Sequence, residues 1–131
     1  TQIVSKGMKK RKSGSIVNVS SVAGLFSLGD HLAYGTSKAA LDMVTKSMAL
    51  ELGPLNIRVN SVNPTVTATE MSLVGWSEES KKAKMLSKIP LGRFVEPIEV
   101  ARAIMFLLSD DASMITGSLI PIDGGATNTS P

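Results

Sequence analysis

Residues 15–24 read SIVNVSSVAG, and the meaning of this run decides the fold. Three β-branched residues within six positions, followed by two serines and a string of small residues, predict a buried strand over 15–20 that runs into a loop. Moving outward, residues 33–52 carry Leu41, Val44, Met48 and Leu52 on one helical stripe and Ala40, Met43, Ser47 and Leu50 on another, until Gly53-Pro54 stops the pattern. That helix is expected to pack on two sides. Residues 57–64, IRVNSVNP, alternate Ile57, Val59, Ser61 and Asn63 with Arg58, Asn60 and Val62, which predicts a second strand ended by proline. A strand, a long helix and a strand in this order give a crossover connection and hence a parallel pair.

Beyond Pro64 the sequence turns polar, and residues 65–90 read as a flap whose second half places Ala83, Leu86 and Ile89 at helical spacing. Residues 96–111, EPIEVARAIMFLLSDD, set a proline at the first helical position and Val100, Ala101, Ile104, Leu107 and Leu108 on one face. Residues 118–125, SLIPIDGG, predict a last strand closed by a glycine turn, with Pro121 suited to an edge rather than a central position. Three parallel strands are few, since parallel sheets bury both faces and leave two open edges here. The expectation is that further strands precede this segment in a longer protein.

The chain has 131 residues, enough for one domain, and its 43% hydrophobic and 19% charged content suits a globular protein. No apolar run approaches the roughly 18 residues of a membrane helix. Cysteine is absent, which excludes disulfides and thiolate chemistry and permits a reducing, cytoplasmic setting. Five of the 14 lysines and arginines (Lys6, Lys9, Lys10, Arg11 and Lys12) lie in the first twelve positions, so nine remain against eleven acids, a net −2 for the rest. The overall +3 is thus a terminal effect. The run reads as a solvated helix end favoured by the helix dipole rather than as a nucleic-acid contact. One histidine and scattered carboxylates give no metal-ligand spacing, and Asp110 and Asp111 mark a helix end.

The only tyrosine, Tyr34, lies four residues before Lys38 with Gly35, Thr36 and Ser37 between them, so the two side chains share a helix face. A phenol is a poor acid at neutral pH, but a neighbouring ammonium favours the phenolate and makes the pair a tunable acid or base. Ser20 and Ser21 follow the first strand, where the C-terminal end of a parallel strand places ligand-facing groups.

Ser21, then Tyr34 thirteen residues later, then Lys38, then Val62-Asn63-Pro64 after the next strand and Asp123-Gly124-Gly125 near the end together resemble the catalytic half of the short-chain dehydrogenase/reductase family. The match runs along nearly the whole chain. The resemblance implies an α/β fold, the C-terminal half of a Rossmann-like doubly wound parallel sheet with covering helices, with residues 1–131 forming a partial domain. It further implies hydride transfer from NADP(H) to a carbonyl carbon. Tyr34 is then the general acid, Lys38 its electrostatic partner and a ligand of the nicotinamide ribose, and Ser21 the residue that holds the substrate carbonyl, with Ser20 as the alternative hydroxyl.

The family's usual Pro-Gly becomes Pro64-Thr65 here, a departure that fits carbonyl reductases of ketoses and vicinal dicarbonyls. By the same resemblance Pro64, Val66, Thr67 and Thr69 approach the cofactor. Val22, His31 and Trp76 line the substrate side, Trp76 together with Leu73 and Val74 in the flap. Other substrates, such as 3-oxoacyl thioesters or steroids, and a noncatalytic interaction role remain the alternatives. A tetramer built through the long helix and the last helix and strand is the implied assembly. The glycine-rich turn that receives a dinucleotide pyrophosphate is not present in the sequence, so cofactor binding by these residues alone is expected to be weak.

Overall fold

A computed structural model describes residues 2–128, except for the side chains of Met71 and Leu73. The elements are α1 (Gln2–Arg11), β1 (Gly14–Val19), α2 (Leu32–Leu52), β2 (Ile57–Pro64), α3 (Glu70–Gly75), α4 (Glu79–Leu86), α5 (Pro97–Leu108) and β3 (Leu119–Ile122). The three strands form one parallel sheet in the order β1-β2-β3, with Gly14 opposite Ile57 and Asn63 opposite Pro121. Pro121 therefore lies on an edge strand, where its missing N–H leaves no central ladder bond unmade. The basic run is the exposed last turn of α1.

The alternation along β2 becomes two faces. Ile57 and Val59 join Ala49 and Leu52 of α2, with Met8 of α1 and Ile16 of β1, in one apolar cluster. On the opposite face Val62 packs with Leu107 of α5 and Ala112, flanked by Val17, Ile104 and Ile120. The sheet is thus covered on both sides. Arg58 reaches the α5 side and donates from Nη1 to the Leu107 carbonyl at 2.7 Å and from Nη2 to the Ser109 carbonyl at 2.8 Å. A strand cation so satisfies carbonyls that a helix C-terminus leaves open.

Three expectations are corrected. β1 is half-buried and its Val19 half-exposed, because β1 pairs with β2 alone among the described residues. The buried face of α2 is Asp42, Thr45, Ala49 and Leu52, while Val44, Met43 and Leu50 point outward, so this helix packs on one side only among the described residues. Buried Thr45 is matched by Asn18, whose Nδ2 donates to Thr45 Oγ1 at 2.9 Å. On α5, Ala101 and Leu108 are exposed, and Ala103 takes the inward place.

The flap contains a helix that periodicity does not reveal. α3 is capped by Thr69, whose Oγ1 accepts from Ser72 N at 3.3 Å while Ser72 Oγ accepts from Thr69 N at 3.0 Å, a reciprocal cap. Ile89 is buried but lies beyond the end of α4.

Candidate active site

The C-terminal ends of β1 and β2 open on the same rim, where parallel sheets hold their ligands. β1 ends at Val19, and Ser20 and Ser21 lead into a single 3-10 turn, Val22–Gly24. Ser20 is fully engaged: its N–H donates to Val62 O at 2.8 Å and its Oγ to Lys38 O at 3.2 Å. Ser21 Oγ accepts from Ala23 N at 3.2 Å, which leaves its hydroxyl proton available for an acceptor outside the turn. Of the two serines, Ser21 is the one whose hydroxyl can still polarise a carbonyl.

The turn sits hard against α2. A Cβ on Gly35 would lie 3.0 Å from the Ala23 carbonyl, and one on Gly24 would lie 2.6 Å from Asp42 Oδ2 and 2.9 Å from the Lys38 carbonyl carbon. Small residues at these two positions let the serine-bearing turn approach the tyrosine-bearing helix. Tyr34 stands in the first turn of α2, half-exposed, with Lys38 one turn on. Lys38 Nζ lies 5.5 Å from the centre of the Tyr34 ring and donates to Val19 O at 3.2 Å. A strand-end carbonyl thus steers the ammonium toward the rim.

The other expected residues fall into distinct places. His31 precedes α2, with its Nδ1 against the Gly29 carbonyl and its ring edge-on to Tyr34 at 6.3 Å. It lines a cleft of about 780 Å³ with Gly24, Phe26, Gly35, Thr36 and Ala39. Neither Tyr34 nor Lys38 lines that cleft, although His31, Ala33 and Gly35 beside them do. Val22 is buried in the 3-10 turn.

Trp76 ends α3 and packs on Phe94 at 5.9 Å, with Lys81 Nζ 5.1 Å above its ring; the Leu73 side chain lies outside the described residues. Pro64 ends β2, the Val66 carbonyl accepts from Val95 N at 3.0 Å, and Thr67 Oγ1 donates to Thr65 O at 3.2 Å. Thr69 caps α3 and keeps its hydroxyl proton. The loop expected near the cofactor is therefore held in place by its own hydrogen bonds.

Behind the rim lies a polar cluster that the motifs do not announce. Asp42 of α2, with Ser61 and Asn63 of β2, is buried between the helix and the sheet. Their signal in the sequence is the polar pair Ser61 and Asn63 at alternating positions of the second strand. Near the chain's end, burial pushes the Asp123 carboxyl up, but hydrogen bonds from Thr127 and Gly125 outweigh it and hold the group below its ordinary range. That aspartate closes the terminal turn, in which Gly124 and Gly125 adopt φ of 60° and 91°.

Residues 1–127 match the family described as enoyl-(acyl carrier protein) reductase. The chain belongs to the short-chain dehydrogenase/reductase family. It is 55% identical to L-xylulose reductase of Caenorhabditis elegans over 128 residues, covering 97% of this chain and 51% of that protein. It is 50% identical to D-erythrulose reductase of Gallus gallus over 124 residues, covering 95% and 49%. Among solved structures of the family, NAD+-bound xylitol dehydrogenase superposes with a TM-score of 0.88 at 33% identity, covering 95% of this chain and 53% of that one. ElxO with NADP bound gives 0.87 at 31% identity, covering 95% and 50%. The chain spans about half the length of the curated relatives it matches.

Proposed function

We propose that this chain is the catalytic portion of a longer carbonyl reductase that converts a ketose or vicinal dicarbonyl to an alcohol at the expense of NADPH. What supports the reading most directly is the Tyr34–Lys38 pair on one helix face at the rim of a parallel sheet, in a chain half identical to two sugar reductases. Solved relatives are named as bound to NAD+ and to NADP, so a nicotinamide cofactor is the natural hydride donor.

The residues present fit the nicotinamide end of such a cofactor. Lys38 presents an ammonium at the rim, and Pro64, Val66, Thr67 and Thr69 form an ordered loop at the end of the neighbouring strand. The glycine-rich pyrophosphate turn is not in this sequence, so tight binding needs residues outside it. When bound, the cofactor supplies hydride to the carbonyl carbon. Ser21 donates its hydroxyl proton in a hydrogen bond to the substrate oxygen and orients it. Tyr34 transfers its phenolic proton to that oxygen as negative charge develops there, and Lys38 stabilises the phenolate left behind. Hydride and proton together make the alcohol. Close backbone packing at Gly24 and Gly35 brings the serine turn against the helix that carries Tyr34 and Lys38.

The exposed apolar residues Met43 and Leu50 of α2, with Ile98 and Met105 of α5, suit the helix faces through which a tetramer would assemble in the cytoplasm. Titration of the full-length enzyme with NADPH and NADH, followed by nicotinamide fluorescence, tests the assignment. Saturation with NADPH in the micromolar range and turnover of a ketose are expected. No change with either cofactor at millimolar concentration would favour a noncatalytic interaction role.

A further inference from the structure

Asp42 is 4% exposed, lies two helical turns beyond Tyr34, and makes no salt bridge among the described residues. Its oxygens instead accept from Asn63 Nδ2 at 3.1 and 2.9 Å, and Oδ1 lies 3.3 Å from Ser61 Oγ. Asn63 Nδ2 also donates to the main-chain carbonyl of Ser21 at 3.1 Å. An amide nitrogen has two hydrogens, so one serves the carboxylate and the other serves Ser21. Asn63 and Ser61 are both wholly buried, and Ser61 Oγ lies 3.1 Å from Asn63 Oδ1.

We propose that Asp42, acting through Asn63, is a positioning residue that fixes Ser21 relative to Tyr34 and Lys38. The inference rests on the catalytic reading above. A carboxylate only accepts, so it dictates which way the Asn63 amide faces: the nitrogen must turn toward Asp42, and that orientation alone brings an N–H to the Ser21 carbonyl. Helix α2 carries the acid and its ammonium at the rim and Asp42 behind them. One carboxylate thereby ties three elements together: the helix, the central strand and the serine turn. The 2.6 Å approach of a Gly24 Cβ to Asp42 Oδ2 shows that the turn rests directly on this group.

The test uses the full-length enzyme and compares Asp42→Asn with the exchange variant Asp42→Asn/Asn63→Asp. Asp42→Asn frees the Asn63 amide to flip and is expected to lower kcat about 10- to 100-fold, the scale of a misplacement of up to about 1 Å. Cofactor affinity should stay within about twofold, because Tyr34 and Lys38 keep their places. The exchange restores an amide–carboxylate pair between α2 and β2, and so the melting midpoint, but a carboxylate at 63 has no proton for Ser21 and kcat stays low. Recovery of kcat along with the midpoint in the exchange variant would show that the pair only holds the fold, and would overturn the proposal. Unchanged kcat in Asp42→Asn would do the same.

Should neither variant fold, Ser61→Ala carries the test. A severalfold fall in kcat at unchanged cofactor affinity supports the proposal, and wild-type kcat refutes it. Ser21→Ala separates the two levels: wild-type turnover there would sink the assignment of Ser21 itself, and this inference with it, whereas the outcomes above touch this inference alone.

Discussion

Gly24→Ala is the most exacting perturbation of the site that touches none of its chemistry. The added methyl carbon would stand 2.6 Å from Asp42 Oδ2, 2.9 Å from the Lys38 carbonyl carbon and 3.0 Å from Ala39 N. Ordinary contact begins near 3.4 Å, so the shortfalls are about 0.8, 0.5 and 0.4 Å. The last two neighbours are helix backbone and cannot swing aside. Relief requires the serine turn to lift from α2 by a comparable distance. Overpacking of this kind costs about 1–3 kcal/mol. With a urea dependence of about 1.5 kcal/mol per molar, the unfolding midpoint should fall by about 0.7–2 M.

Gly53→Ala is the matched control, since its Cβ would meet nothing within 4 Å and its φ is −52°. Its midpoint should hold or rise slightly. In the full-length enzyme Gly24→Ala should also lower kcat about 10- to 100-fold, because the lift separates Ser21 from Tyr34. A midpoint for Gly24→Ala equal to that of Gly53→Ala would refute the close approach on which the site geometry depends.

Other outcomes follow from the same structure. Arg93 hydrogen-bonds Glu99 through both Nη atoms, and with a further bond from Glu96 N this holds the Glu99 carboxyl down at about 2, below its ordinary 4.5. A lowered carboxyl stabilises the fold above its ordinary range and loses that contribution as pH falls toward its folded value. The difference in melting midpoint between the wild type and Glu99→Gln should therefore be full above about pH 5 and vanish near pH 2; a difference independent of pH would contradict the pairing. Leu107→Ala, at 1% exposure against Val62 and Ala112, should cost about 2–5 kcal/mol in chemical denaturation. Leu108→Ala, at 42% exposure, should cost well under 1 kcal/mol, and equal losses would mean that the α5 face is misassigned.

Where glycine and proline punctuate the chain, its architecture is legible in the sequence. The strand over 57–64 and the helix ending before Gly53-Pro54 appear where alternation and breakers place them. The packing face of α2 is not legible in the same way. Its inward positions mix Ala49 and Leu52 with Asp42 and Thr45, which are made tolerable by Asn63 and Asn18, while apolar Val44 and Leu50 face outward. A hydrophobic stripe cannot reveal the half of a buried face that is polar and satisfied by paired hydrogen bonds. α3 escaped because its cap closes with Ser72 in place of the glutamate or glutamine that marks a capping box.

At the site, the Tyr34–Lys38 face follows from spacing alone, whereas the hydrogen bond of Ser20 Oγ to Lys38 O appears only in the folded structure. The Asp42–Asn63 link was hidden because it joins residues 21 positions apart that meet only once the crossover register exists. Trp76 reads as a candidate lid in the sequence, yet its ring is packed on Phe94.

The proposed reduction depends on the phenolic proton of Tyr34, and the measurement that reaches it most directly is steady-state reduction by Tyr34→Phe in the full-length enzyme. The side chain is 47% exposed, so loss of one hydroxyl should leave the melting midpoint and cofactor affinity unchanged. kcat should fall about 100- to 10,000-fold, the contribution of a positioned general acid. Turnover within about threefold of wild type at unchanged cofactor affinity would mean that the proton comes from elsewhere.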